Sequence, residues 1–399
     1  ANVPHRLAKL LMEKYAIAVI EGNLCIYDEN YNYWKSIRGE NYDKCIRLLI
    51  PEEYKARCNH GIIKEIMYWL DAEAKEIQLH NVPKRNEYLN FKNGCINVVT
   101  NEKKKKTPEV YFMHYINANI PPLEKWKNSK IRNAVYTQFI ESAFVGQNEE
   151  LRQDFEELVG VILSPQRGLK MSSIFWGRPN TGKSVALNLI SDMLNETFVS
   201  NVSFSQFSDE FAVACLEGKA LNVSGEISGI KERRLDLFNS TVGNDTIMTC
   251  YKGKDYFKLK NNAFLAFACN DLPLIPSGAV EAFKTRVVIF PFNNEVPKEN
   301  WIHDMNVKMR SEKDLISVMA ILGLRRFLEN GNCFTHQSKL DIIKDGALYE
   351  VNTFVAFANE KLIAEPKEFT ASCDIQIEYE NFCEENDLEV YASQIWSRQ

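Results

Sequence analysis

Gly177-Arg178-Pro179-Asn180-Thr181-Gly182-Lys183-Ser184 decides the architecture of this chain. It fits G-x-x-x-x-G-K-[ST], with the apolar run Ser173 to Trp176 before it and the helical pattern Val185 to Leu194 after it. A triphosphate is held by backbone N–H groups turned inward around it, which calls for glycine where a side chain would block approach or where φ is positive. Gly177 and Gly182 stand at those positions, and Asn180 and Thr181 line the loop between them. Lys183 is then placed to reach the β and γ phosphates and Ser184 to offer its hydroxyl to Mg²⁺. The N-terminus of the following helix adds partial positive charge.

A phosphate cradle does not name a reaction, because kinases, GTPases, transporters and motors share it. The strands that follow narrow the choice. Ala220 to Ser224 is an apolar run leading to Gly225-Glu226, where a carboxylate can meet Mg²⁺ and orient an attacking water; Glu226 is the expected general base and a second metal contact after Ser184. A third run, Ala263 to Cys269, ends in Asn270, an amide suited to the same water or to a γ-phosphate oxygen. A fourth, Val287 to Phe290, is preceded by Arg286, whose planar fork suits charge developing on a transferring phosphoryl group, its own or a neighbouring subunit's. Strands alternating with helices up to Phe292 predict an α/β core with a mostly parallel sheet.

The flanks read differently. Leu24 to Ile37 has the pattern of a hairpin bearing Tyr27, Tyr31, Tyr33 and Trp34, aromatics that either pack a small sheet or stack on bases. Helical periodicity follows near Asn41 to Cys58 and Ile62 to Gln78, and a second β-rich unit turns at Asn93-Gly94. Lys103 to Lys106 is either a solvated loop tip or a basic patch. Pro121-Pro122 marks a boundary before the helical stretch Ile131 to Leu163. Beyond Pro297 the chain returns to helix until about Asn330, then gives short helices around Asn352 to Ile363, Ser372 to Asn386 and from Ser393 onward.

The whole is 399 residues, 45% hydrophobic, with 48 basic against 53 acidic side chains and a net charge of −5. That excludes a protein coated with nucleic acid over its entire surface and leaves room for a local basic channel. Ten cysteines without a CxxC pair read as reduced thiols of a cytoplasmic protein, not a zinc site. Apolar stretches are too short for a membrane helix, so no membrane partner is expected. The start at Ala1 and the end at Gln399 read as part of a longer protein.

The order of cradle, strand with Glu226, hairpin, strand with Asn270 and then Arg286 resembles the superfamily 3 helicases, the ring-forming replication motors of small viruses, phages and plasmids. Asn90-Phe91-Lys92-Asn93-Gly94-Cys95-Ile96-Asn97 resembles a strand-turn signature upstream of the motor in the primase-helicase family of satellite phages and poxviruses. Leu235 to Thr249 is similar to that family's extra motif, although Asn239 stands where lysine is common, Cys250 where arginine is common, and Glu226 lacks an acidic neighbour. Tyr251-Lys252-Gly253-Lys254-Asp255-Tyr256 reads as a tight hairpin, either solvated or, as in the resembled helicases, gripping DNA phosphates through Lys252 and Lys254.

The resemblance implies an α/β, AAA+-like P-loop ATPase core over 166–297, an N-terminal α+β, collar-like domain over 1–125, helical segments at 126–165 and 298–340, and an incomplete winged-helix-like region over 341–399. It implies ATP and Mg²⁺ as cofactors, a homo-hexamer, single-stranded and forked DNA as partners, and 3′-to-5′ travel in the replication of a phage, plasmid or other mobile element. No priming acids or zinc pattern precede Asn90, so priming is not implied. The alternative is an initiator that binds origin DNA and uses ATP as an assembly switch with little unwinding. A small-molecule kinase would leave the hairpin lysines and both flanking domains unused.

Overall fold

A computed structural model of the chain describes residues 2–37, 42–122, 134–144, 148–166, 168–225, 235–273, 275, 279–350, 353–363, 369–386 and 390. Helix Val3–Lys14 leads into a four-stranded sheet of β1 (Ile17–Ile20), β2 (Asn23–Asp28), β3 (Tyr33–Ser36) and β4 (Lys75–Ile77), in the order β3-β2-β1-β4. β4 runs parallel to β1, and helix His60–Glu73 makes the crossover between them. Periodicity alone extends that helix to Gln78. Pairing with β1 instead draws Lys75 to Ile77 into the sheet, a case of tertiary contact overriding local pattern.

Of the first hairpin's aromatics, Trp34 is buried, Tyr27 and Tyr33 are half-buried and Tyr31 is exposed. The Trp34 indole N–H donates to the Pro108 carbonyl at 2.9 Å, and Tyr31 stacks on Tyr115 with ring centroids 4.6 Å apart. Tyr33 meets Tyr115 and Phe198 edge-on, and burial pushes its phenol pKa up to about 12.

A three-stranded sheet follows: β5 (Tyr88–Phe91), β6 (Gly94–Asn97) and β7 (Lys103–Lys104). Asn90 of β5 ties it to the first hairpin, its Nδ2 donating to the carbonyls of Asn32 at 2.9 Å and His114 at 3.1 Å while its Oδ1 accepts from the Asn32 amide at 2.9 Å. Lys103 and Lys104 form the short outer strand, where charge blocks further strand pairing. Lys104 approaches Glu102 at 3.6 Å and Lys106 pairs with Glu29.

The centre of the molecule is a five-stranded, all-parallel sheet of β8 (Ser172–Trp176), β9 (Val199–Ser200), β10 (Leu221–Ser224), β13 (Phe264–Cys269) and β14 (Val287–Pro291), in the order β14-β8-β13-β10-β9. Between β10 and β13 the chain makes an antiparallel hairpin of β11 (Thr246–Thr249) and β12 (Phe257–Lys260). Alternate residues of the sheet serve two cores, as a sheet covered on both faces must. Phe175, Ala266, Ala268 and Phe290 face helices Lys183–Asp192, Asn148–Leu163 and Lys313–Glu329; Ile174, Leu265, Phe267 and Ile289 face helix Asp236–Gly243 and the turn Phe204–Ser208. The result is a mixed α/β fold in three layers.

Helices Asn148–Leu163 and Lys313–Glu329 meet backbone to backbone. A Cβ at Gly323 would stand 2.2 Å from the Glu156 carbonyl oxygen, and one at Gly160 would stand 2.6 Å from that of Ala320. Glycine costs a helix interior about 1 kcal/mol, so both are retained here for approach. Acids on the first helix then serve its neighbours. Arg326 donates to Glu156 at 3.0 Å and to Glu157 at 3.1 Å, and the N–H groups of Thr335 and His336, which precede helix Gln337–Glu350, donate to Glu157 at 2.9 Å and Asp154 at 3.0 Å. Helices Thr353–Lys361 and Ser372–Glu385 pack on each other through Phe357, Tyr379 and Phe382. The described residues of 341–399 form helices, and the segment from Ser393 onward lies outside them. No described helix is long and apolar enough to cross a membrane, and all ten cysteines are free thiols.

Asp154 is fully buried, with Oδ2 unpartnered. Burial raises its pKa from 3.8 to about 6, the nearby Glu157 adding to the rise and contacts with His336 opposing it. An acid whose folded pKa is raised stabilises the fold while protonated, and that contribution disappears as pH climbs from about 4 through about 6. Relative to Asp154→Asn, the wild-type unfolding free energy falls by up to about 3 kcal/mol over that window. Denaturant titrations of both proteins from pH 4 to 7 check this, and parallel profiles would assign the proton elsewhere.

Candidate nucleotide-binding site

β8 delivers the chain into the cradle at Trp176. Gly177 follows with φ +151°, and a Cβ there would lie 2.0 Å from the carbonyl oxygen of Phe292, the residue directly after β14. Only glycine lets the loop cross that carbonyl. Asn180 turns the loop at φ +60°, a left-handed conformation that asparagine tolerates, and Thr181 Oγ1 closes the turn on the Arg178 carbonyl at 2.8 Å. Gly182, at φ +97°, lies against the ring of Phe139, 2.9 Å from where its Cβ would be, and precedes helix Lys183–Asp192. With no side chain to cap that helix, Gly182 leaves its first-turn N–H groups to an anion.

Lys183 is 8% exposed, and its ammonium donates to the carbonyls of Gly177 and Arg178, each at 2.6 Å. Burial pulls its pKa down. Neutral carbonyls are weaker partners than charged phosphate oxygens, so a phosphate bound in the cradle would draw the ammonium from them. Burial likewise pushes the Cys269 thiol up to about 12, opposed by the Lys183 ammonium beside it. Ser184 is exposed at the start of the helix. Among the described residues no three His, Cys, Asp or Glu converge on a point. Mg²⁺ needs no such cage where a triphosphate supplies most of its oxygens, and one hydroxyl beside the cradle fits that requirement.

The sheet order sets what surrounds the cradle. β13 lies next to β8 with Cys269 level with Trp176, so the exposed Asn270 sits at the same sheet end as Gly177. β10 is one strand further, about 10 Å from β8 at about 4.8 Å per strand. Its last residue Ser224 pairs with Phe267, and Glu226 lies outside the described residues.

Arg286 is elsewhere. Val287 pairs with Ser172 at the start of β8, which puts Arg286 at the opposite end of the sheet, six residues or about 20 Å along the strands from Gly177 at about 3.3 Å per residue. Its guanidinium donates to the Asn239 carbonyl at 3.1 Å and the Ala282 carbonyl at 2.8 Å. The β11–β12 hairpin rises from the same end. Lys252 and Lys254 are exposed at its tip around Gly253, while Tyr251 and Tyr256 donate to Glu217 at 3.1 Å and Glu210 at 2.7 Å. The cradle residues and Asn270 are therefore brought together, and Arg286 with the hairpin lysines is kept apart from them.

Several supports of the site have no local sequence signal. Glu312 accepts from the N–H groups of Val135 at 2.9 Å and Tyr136 at 2.8 Å, capping the helix whose Phe139 presses on Gly182. The Phe292 N–H donates to the Trp176 carbonyl at 2.6 Å, and the N–H of Val296 lies 3.5 Å from the Asn180 carbonyl.

Residues 175–286, from just before Gly177 to Arg286, match a family of unknown function, DUF5906. None of the curated proteins matches the chain. Among solved structures, the apo C-terminal region of NrS-1 (residues 305–718) superposes with a TM-score of 0.50 at 15% identity, covering 88% of this chain and 76% of that one. A second apo structure of that region, in its A form, gives a TM-score of 0.49 at 15% identity over 96% and 86% of the two chains. At this identity the likeness is one of fold.

Gly177→Ala tests the cradle directly. The added methyl must displace the Phe292 carbonyl, so the variant is expected to lose about 1–3 kcal/mol of stability and the thermal shift that Mg-ATP confers on the wild type. A variant that keeps the full shift would show that the loop does not hold the phosphates.

Proposed function

We infer that this chain is an ATP-dependent DNA helicase of the superfamily 3 kind, a ring of copies working in the replication of a phage, plasmid or other mobile element. One observation carries the reading: the cradle and Arg286 stand at opposite ends of the strands of one parallel sheet. An arginine about 20 Å along the strands from its own cradle can serve a phosphoryl group only in a neighbouring copy, so a complete site needs an interface. The hexamer of the resembled motors provides one such interface per subunit.

In this reading the cradle N–H groups and Lys183 bind the triphosphate of ATP; Ser184 and Glu226 would hold Mg²⁺, which would supply positive charge to the triphosphate. Glu226 takes the proton of the attacking water, and Asn270, one strand nearer the cradle, orients that water. As the water oxygen bonds to the γ-phosphorus and the bond to the β–γ bridging oxygen breaks, releasing ADP, Arg286 of the next subunit meets the charge that develops on the γ-phosphoryl group in transfer. Lys252 and Lys254 contact the phosphates of a single strand, and the direction implied is 3′ to 5′. The initiator alternative has no comparable support. Its DNA contacts would fall to the tail, where the described helix Ser372–Glu385 has five acidic side chains and no Lys or Arg, so it offers no cation to a phosphate.

Lys183→Ala is expected to abolish ATP hydrolysis with the thermal unfolding profile retained, and undiminished turnover would remove the site assignment. Arg286→Ala is expected to be inactive alone but to regain partial ATPase activity when mixed with Lys183→Ala, since a mixed ring has interfaces with both an intact cradle and an intact arginine. Mixtures that co-assemble and stay inactive would rule out action across the interface. The double variant Lys252→Ala, Lys254→Ala is expected to bind single-stranded DNA more weakly with a salt slope shallower by about 1–2, while DNA-free ATPase persists. An unchanged slope would move the DNA contact off the hairpin.

A further inference from the structure

The segment after β14 does more than close the sheet. Phe292 lies across Gly177, the Asn294 side chain donates to the Ser142 carbonyl at 2.5 Å, and the Val296 N–H lies 3.5 Å from the carbonyl of Asn180. The chain thus follows the cradle from its first residue to its fourth. It then turns through Lys298–Asn300 and returns Trp301, whose indole N–H donates to the carbonyl of the same Val296 at 2.8 Å. Two consecutive contacts through Val296 therefore join the indole to Asn180, and they hold the indole nitrogen within about 10 Å of the cradle backbone.

Trp301 is 52% exposed, and among the described tryptophans it alone is an exposed one. An indole left in water loses the burial that makes tryptophan worth retaining, whereas its N–H bond fixes the ring and leaves the rest of it accessible. The mechanism above gives this residue no task. The strap lies beside the loop that contains Asn180, within reach of the base of a nucleotide whose phosphates the cradle would hold.

The geometry points to Trp301 as the platform on which the base of the bound nucleotide stacks, with the Phe292–Trp301 strap as the wall of a base subsite. This rests on the cradle binding a nucleoside triphosphate and adds a contact that phosphate alone cannot make. Stacking recognises any flat base, so the subsite confers affinity for nucleotides over inorganic polyphosphate, not selection among bases.

The test compares Mg-ATP with Mg-tripolyphosphate by calorimetry on the full chain, as wild type, Trp301→Ala, Trp301→Leu, Trp301→Phe and Lys183→Ala. Trp301→Ala and Trp301→Leu are expected to weaken ATP about tenfold while leaving tripolyphosphate unchanged, and Trp301→Phe to restore most of the ATP affinity. Leucine keeps apolar bulk in the strap, so it serves where alanine compromises folding. Unchanged ATP affinity in both variants, or equal loss of both ligands, would overturn the stacking role. Failure of the cradle reading looks different: the wild type would bind neither ligand, or Lys183→Ala would bind both as the wild type does.

Discussion

The absence of a side chain at Gly177 is the constraint on which the rest of the site depends. The Phe292 carbonyl occupies the place its Cβ would take, so the first residue of the cradle and the first residue beyond β14 are packed as one unit. The hydrogen bond from the Phe292 N–H to the Trp176 carbonyl continues the β8–β14 ladder up to that point. Cradle position is thereby set by the sheet, whose residues are buried on both faces, and not by the loop's own flexibility. A preorganised set of donors spends less ordering free energy on binding than a loop that must fold around its ligand.

Sheet order then distributes the chemistry. Placing β13 between β8 and β10 sets Asn270 at the sheet end beside the cradle and the end of β10 about 10 Å away. The parallel direction of every strand gathers these groups at one end and sends Arg286 and the β11–β12 hairpin to the other. The placement of these groups is thus set by strand order and direction before it is set by any single side chain.

What the sequence made legible follows from how local each signal is. The cradle is eight consecutive residues whose roles are fixed by backbone chemistry, and β8, β10, β13 and β14 are apolar runs long enough to stand out. β9 has two residues and offers no pattern. The acids of helix Asn148–Leu163 interrupt its apolar positions, yet Asp154 and Glu157 are fully buried because Arg326, Thr335 and His336, more than 160 residues away, meet them. Periodicity reports that a face is polar and is silent on whether another helix satisfies it. Trp301 was invisible for the same reason, since only the fold brings Val296 to the cradle. For Glu226 the sequence remains the whole basis of its role.

Strand β13 links the two ends of the sheet. All six of its residues are buried; it begins four residues after β12 and ends at Cys269, beside Asn270 and the Lys183 ammonium. The hairpin at its start is not a free arm. Lys260 pairs with the buried carboxylate of Glu21 in the N-terminal domain at 2.8 Å, Asn261 donates to the Thr241 carbonyl at 3.2 Å, and the tip tyrosines are tied to Glu210 and Glu217. The same domain reaches the far end of the cradle helix, where the Asn117 N–H donates to the Met193 carbonyl at 2.7 Å. Hairpin, N-terminal domain and cradle helix are therefore joined around one close-packed strand. Close-packed interiors transmit displacement instead of absorbing it, and β13 is the packed element that runs from beside the Glu21–Lys260 anchor of the hairpin to Asn270 at the cradle.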